Sequence, residues 1–312
     1  MSGLVSDTPT ADAALSRNLG WVSSVLRIAA DLLEIAKPRI ALMVLVAVSV
    51  GYGLGCQADW RIEPWLHAMF GVALAATSAS AFNQLLERKT DALMPRTAGR
   101  ALPTGRLASR DVFWFGLLTA LVAIVDLSLF TNSLTAGLTL VSIALYAGAY
   151  TLLKPRSALC TAVGAIPGAL PIVLGWTAAG GRLDAAAWTL FGILYLWQFP
   201  HFLAIAWKYR NQYASAGLKM LPGAGAPRIV GAIATAYALA LIPVSLLPRE
   251  HGLAGNLYGV IALALGAAYA AASIGFAWRG SDAAARRVLL VSLAYLPVLL
   301  GVLLLDHWRL LQ

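Results

Sequence analysis

Apolar residues run together along most of this chain, and charged positions interrupt them only at intervals. Nine runs can be marked, at about 40–56, 65–85, 112–130, 134–153, 159–178, 187–207, 229–247, 255–278 and 288–306. A helix needs roughly 20 mostly apolar residues to cross a bilayer. Each run therefore predicts a span, and together they predict an all-α integral membrane protein. Only Thr131 to Ser133 separate the third and fourth runs, which predicts an antiparallel helical hairpin. Small residues recur inside the runs, as at Ala73, Ala75, Ala76, Ser78 and Ser80. In lipid such residues let helix backbones approach where hydrophobicity supplies no drive between helices.

The polar residues between runs gather in two long connections, 86–111 and 208–228. Four of the 23 Lys and Arg residues (Arg61, Arg182, Arg249 and Arg309) fall on one side of the predicted bundle, and the other nineteen fall opposite. The positive-inside rule then puts the N-terminus and both long connections in the cytoplasm and the C-terminus outside. An odd number of spans agrees.

Composition supports the same picture: 60% of residues are hydrophobic, 12% are charged, and mean hydropathy is +0.75. A soluble domain carries about half apolar and about a quarter charged residues. The net charge of +9 implies no nucleic-acid partner, because the basic residues sit at the ends of apolar runs and line no soluble face. Cys56 and Cys160 show neither CxxC nor His-containing metal spacing and are expected as buried structural thiols. Residues 1–36 lack the continuous apolar core of a signal peptide, and Asp7, Asp12, Asp31 and Glu34 are out of place in a transit peptide. They predict a cytoplasmic tail and an interfacial helix ahead of a membrane domain at 37–312.

The first chemical constellation is Asn83, Glu87 and Asp91 in NQLLERKTD. On a continuing helix the i, i+4, i+8 spacing stacks the three side chains along one face. Oxygen donors in that pattern suit Mg²⁺, which takes one or two carboxylates and completes its shell with phosphate oxygens and water. Arg88, Lys89, Arg96 and Arg100 follow, and cations beside a metal face are what a diphosphate requires. An ion-paired, solvated helix end would carry similar charges. Asn83, however, lies inside an apolar run, where a polar group must find a partner. The loop RTAGRALPTG, with turn residues Gly99, Pro103 and Gly105, could present arginines to phosphate or simply anchor the cytoplasmic side.

The second constellation is WQFPHFLAIAWKYRNQY, followed by AGLKMLP. Pro200 kinks a helix by removing a hydrogen bond. His201 is the histidine deepest in a predicted span, which marks it either as a ligand, proton acceptor or cofactor contact, or as a satisfied interhelical donor. Trp197, Phe199, Phe202 and Trp207 could wall a flat or isoprenoid substrate, although aromatic residues also populate membrane interfaces. Lys154 and Arg156 in YTLLKPRS could bind phosphate or only set topology.

NQLLERKTDALMPRTAGRALPTG resembles the first motif of the UbiA-type intramembrane prenyltransferases, in the form found in the haem-farnesylating branch. YTLLKPRS with GAIPGALPIVLGWTAAGG, and WQFPHFLAIAWKYRNQYASAGLKMLP, extend the resemblance over about residues 34–300 in the family's order. The resemblance implies nine transmembrane helices around a central cavity in the bacterial inner membrane. It implies farnesyl diphosphate and protohaem IX as substrates, Mg²⁺ as cofactor, and haem A synthase or terminal-oxidase assembly as partners. By position, Asn83, Glu87 and Asp91 would bind the Mg²⁺–diphosphate. Arg88, Arg96, Arg100, Lys154 and Arg210 would neutralise it, and His201 would lie near the haem or the reacting carbon. The family commonly has an acidic pair after the sixth span, whereas this chain has Asn211 and Gln212. Amides are uncharged donors and acceptors, so a second carboxylate-held Mg²⁺ is in doubt. Two competing readings are a UbiA-type transferase acting on an aromatic quinone precursor and, from another class, a transporter. No repeat of the first motif supports the paired halves many transporters show.

Overall fold

The computed structural model describes residues 25–56, 59–221 and 226–312. All regular elements among them are helical. The expected tail at 1–24 lies outside the described residues, and helix α1 runs from 25 to 36. Among the described residues, nine helices long and apolar enough to cross a membrane follow: α2 (Pro38–Gly55), α3 (Ile62–Asp91), α4 (Ser109–Phe130), α5 (Ser133–Leu153), α6 (Cys160–Ala178), α7 (Ala185–Lys208), α9 (Pro227–Glu250), α10 (Asn256–Arg279) and α11 (Asp282–Leu311). The short helix α8 (Arg210–Ser215) sits between α7 and α9. Every apolar run of the sequence is a helix, and the hairpin between α4 and α5 turns on Thr131 and Asn132.

Local chemistry explains the helix ends. Pro38 opens α2, where its missing N–H costs nothing and its fixed φ suits the first turn. The side chains of Asn132, Asp184 and Ser281 accept hydrogen bonds from the backbone N–H groups of Thr135, Ala187 and Ala284. Each satisfies a donor that the first turn leaves unpaired. Gly280 ends α10 in the left-handed region, at φ 56°.

Helix α6 is the axis of the molecule: 78% of its core window is buried, against 22–56% in the other spans. It packs closely on α2 because glycines face backbone on both sides. A Cβ at Gly51 would strike the Ile172 carbonyl, and one at Gly175 would strike that of Val48. Helices α2, α6, α7 and α11 contact one another in a ring, and α9 and α10 extend the bundle beside α7 and α11. Helices α3, α4 and α5 form the opposite flank against α6. Large apolar side chains such as Leu118, Leu121, Val125 and Leu129 on α4 are exposed, as a lipid-facing surface requires.

Helix α1 is fastened to the 92–107 loop. Arg106 bonds Asp31 and Glu34 at 2.9 Å each, and Gln84 donates to the Ile35 carbonyl. Ile35 is buried with Ala101, Leu102 and Leu107 beneath it.

Candidate active site

Helix α3 continues unbroken through Asp91, so Asn83, Glu87 and Asp91 do share one face at its polar end. Asn83 and Asp91 are buried and Glu87 nearly so. Among the described residues, no three or more His, Cys, Asp or Glu side chains come together as a metal cluster. The face holds two carboxylates and an amide.

Each carboxylate already faces a cation. Arg100 donates to Asp91 Oδ2 at 2.7 Å, with the aspartate side chain 2% exposed. Lys154 Nζ lies 2.6 Å from Glu87 Oε1 and 4.4 Å from the Tyr150 ring centre. Burial opposes the Lys154 charge, but Tyr150 and Glu87 more than offset it, and its pKa stands above the usual lysine range. A chain of bonds fixes the Asn83 amide. Thr151 donates to the Tyr146 carbonyl at 2.9 Å, so its oxygen is free to accept from Asn83 Nδ2 at 3.0 Å. The Asn83 oxygen is left facing away from Thr151 as an acceptor. Thr151 reaches this position through a seven-residue π-helix, Ala144–Tyr150, inside α5. Such widened turns often occur at functional sites.

Lys37 joins this group from the start of α2. It is largely buried, and Arg100, Lys154, Glu87 and Asp91 all act on it electrostatically. Burial first, then Arg100 and Lys154, bring its pKa down to about 8. It forms no ion pair among the described residues. It is also the one non-glycine residue with positive φ among them, at φ 49° and ψ 63°. A following proline disfavours the right-handed helical region, and holding a lysine in the left-handed one costs about 1–3 kcal/mol. Sequence reading passed over Lys37. The only signal was its place before a proline at the head of a span, on the same side as the α3 motif.

The other predicted residues divide. Arg96 lies over the Tyr209 ring at 5.1 Å, joining the 92–107 loop to the segment after α7. That segment also reaches Lys154, whose carbonyl accepts from Lys219 N at 2.8 Å. Gln212 Oε1 is buried without a hydrogen-bond partner, whereas Asn211 is exposed. The structure therefore distinguishes the two amides. Arg88 is exposed and donates to the Leu85 carbonyl of its own helix. Arg210 donates to Asp282 at 2.9 Å and to the Trp207 carbonyl, with its guanidinium over the Trp207 ring. Neither is brought to the Glu87–Asp91 face. The expectation that Arg88 and Arg210 neutralise diphosphate has no geometric support.

His201 lies within α7, with Nδ1 2.7 Å from Ser292 Oγ on α11 and its ring stacked on Trp197 at 5.1 Å. The other histidines are held elsewhere. His67 Nδ1 meets Asp126 at 2.8 Å between α3 and α4, His251 meets Thr189 at 3.0 Å, and His307 Nδ1 lies 3.1 Å from the Leu253 carbonyl. Cys160 is buried and Cys56 half-buried, and both are free thiols.

An oxygen-only donor set with few carboxylates fits Mg²⁺ rather than a softer metal. The Asn83 oxygen and the two carboxylates supply it on one face of α3, and so few carboxylates leave coordination positions for phosphate oxygens.

The fold and sequence have close counterparts. A protein described as protoheme IX farnesyltransferase from Solibacter usitatus is 42% identical over 89% of this chain and 98% of its own length. One of the same description from Anaeromyxobacter is 40% identical over 91% of this chain and 95% of its own length. Two solved structures share the fold at lower identity. A digeranylgeranylglyceryl phosphate synthase superposes with TM-score 0.78 at 14% identity, over 90% of this chain and 99% of its own. A UbiA homologue from Archaeoglobus fulgidus bound to GPP and Mg²⁺ gives 0.68 at 15% identity over the same shares. The UbiA prenyltransferase family profile matches residues 42–304. This chain, a multi-pass membrane protein, belongs to the UbiA prenyltransferase family.

Proposed function

We propose that the protein transfers the farnesyl group of farnesyl diphosphate to a vinyl carbon of protohaem IX, water adding to the neighbouring carbon to give haem O and diphosphate. The donor half rests on one observation: Glu87 and Asp91 share a buried face on which three cations converge, and Lys37 alone among these has no ion-pair partner. The acceptor half rests on relatives of about 40% identity, covering nearly the whole chain, that carry the protoheme IX farnesyltransferase description. Those same relatives leave the quinone-precursor and transporter readings without support.

Asn83, Glu87 and Asp91 would hold Mg²⁺, with Gln212 as a further oxygen donor. When bound, the ion supplies positive charge to the departing diphosphate. Lys37, Arg100 and Lys154 contribute the rest. Their interaction strengthens as the carbon–oxygen bond breaks and negative charge gathers on the leaving group, which lowers the barrier. Arg100 and Lys154 are held by Asp91 and Glu87 before the substrate arrives, so little reorganisation accompanies binding. The allylic carbon bonds to the terminal vinyl carbon, and the resulting cation beside the porphyrin takes oxygen from water, which then loses a proton. The bundle interior keeps water from the allylic cation before transfer. His201, with Trp197 beside it, faces the acceptor.

The protein lies in the bacterial inner membrane with α1 and the 92–107 loop on the cytoplasmic side, and the product passes to haem A synthase or oxidase assembly. The test is direct. Purified protein in lipid nanodiscs is incubated with farnesyl diphosphate, Mg²⁺ and protohaem, and the products are analysed by mass. Haem O is expected, with dependence on Mg²⁺; prenylation of a quinone precursor but not of haem would overturn the reading.

A further inference from the structure

Of the arginines in the 92–107 loop, Arg100 bonds Asp91 and Arg96 lies over Tyr209, whereas Arg106 turns to α1. Four donor positions of its guanidinium are engaged. Nε donates to Asp31 Oδ1 and Nη2 to Glu34 Oε2, at 2.9 Å each. Nη1 donates to the Gly99 carbonyl at 3.0 Å and to the Thr104 hydroxyl at 2.9 Å. Gly105, at φ 73°, makes the reversal that folds Arg106 back over its own loop, a conformation that suits glycine.

Both tethered segments lead to cations of the candidate site. Gly99 immediately precedes Arg100, and the Thr104 hydroxyl that accepts from Arg106 donates to the Arg100 carbonyl at 2.7 Å. The backbone carrying Arg100 is therefore held from two directions. On the α1 side, the Glu34 carbonyl accepts from the Lys37 N–H at 3.3 Å. Ile35 between them is buried against Ala101, Leu102 and Leu107, and its carbonyl accepts from Gln84 of α3. Lys37 itself is held at positive φ, so the direction of its side chain depends on how α1 delivers the chain to Pro38. A single exposed ion pair contributes little. Arg106 is different in kind, because one planar group joins two carboxylates on α1 to two oxygens on the loop, and its loss releases both segments at once.

We propose that Arg106 is a positioning residue for the substrate's diphosphate: it meets no phosphate itself, and by joining α1 to the 99–104 segment it sets Lys37 and Arg100 at the spacing that the diphosphate bridges. The proposal rests on the donor half of the proposed function and is independent of the acceptor.

The experiment uses the full chain in nanodiscs with Mg²⁺ and reads farnesyl diphosphate affinity by calorimetry, with inorganic diphosphate as a second probe. Binding stoichiometry reports the folded fraction, so lost fold and lost affinity are separate readings. Arg106→Gln should weaken both ligands about fivefold at unchanged stoichiometry. Asp31→Asn combined with Glu34→Gln leaves the arginine in place and should give the same loss, and adding Arg106→Gln to that pair should give no more. In a Lys37→Met background the Arg106→Gln loss should shrink, which a purely structural role would not produce. An arginine that met phosphate directly would behave otherwise: freeing it from its carboxylates would leave affinity unchanged or raise it, and that result would overturn the proposal. Unchanged affinity in Arg106→Gln, or an equal loss with and without Lys37, would do the same. If Arg106→Gln does not fold, the Asp31→Asn, Glu34→Gln variant decides alone. A wild type that binds no farnesyl diphosphate would overturn the donor reading together with this proposal.

Discussion

The two ends of the bundle use charged residues in different ways. At the end opposite α1, Asp306 accepts from the backbone N–H groups of Gly255 at 2.8 Å and Tyr258 at 3.2 Å. Asp184 and Asn132 accept from backbone in the same way. These acidic and amide groups are spent on helix ends. At the α1 end, Asp91 and Glu87 instead face Arg100 and Lys154, and Lys37 is left over. A side chain bonded to backbone is committed while the fold lasts. A carboxylate paired with a side-chain cation holds that cation where an anionic ligand can meet it. The comparison separates charge that builds the protein from charge available for chemistry.

Asp91→Ala tests the difference most severely. It should lower the rate of haem O formation by about 10²–10³-fold or more, the scale of losing a key transition-state contact. The rate is read per folded molecule, because Arg100 is left without its buried partner. Asp306→Ala should do the reverse. It leaves two N–H donors in an apolar setting at about 1–3 kcal/mol each, so calorimetry should record a clear loss of stability, with turnover per folded molecule preserved. If Asp306→Ala abolished turnover in folded protein, the division between the two ends would fail.

Lys37→Met is intermediate, with an expected rise in KM for farnesyl diphosphate of about tenfold, since one charge-assisted contact contributes roughly 1.5–3 kcal/mol. Its pKa gives a sharper signature. The group is cationic below about 8 in the free protein, so farnesyl diphosphate binding should weaken as pH rises through 8, and Lys37→Met should flatten that dependence. The stability effect has the opposite sign. The folded pKa lies below the unfolded value, so the buried charge costs stability below about 8, and the cost is relieved as pH rises toward 10.5. Arg210→Ala should be the mildest, with less than about a twofold change in KM, because its partner is the exposed Asp282 and surface pairs contribute little.

The spans and the α3 motif were legible because both are periodic patterns within one segment. Phase within that pattern was legible too, had it been applied to Arg88. One residue after Glu87, its side chain points about 100° around the helix from the motif face. Lys37, Thr151 and Ser292 were not legible. Each matters through a partner more than 40 positions away or through a backbone angle, and neither is written in local composition. Arg210 shows the limit of local reading, since a charge next to a motif looks the same in sequence whether it faces substrate or, as in the structure, Asp282.

The π-helix of α5 has a consequence for how this chain tolerates change in length. Its seven residues, Ala144–Tyr150, hold about one residue more than a regular helix would over the same rotation, and Thr151 and Lys154 follow directly. Deleting one residue there would let α5 wind regularly and still cross the bilayer. The helix beyond would keep its phase, because the widened turns had absorbed the extra residue, and Thr151 and Lys154 would still meet the α3 face. Residue count along this stretch is therefore buffered: a span of unchanged hydropathy but one residue shorter would hold both its place in the membrane and its alignment with Asn83 and Glu87.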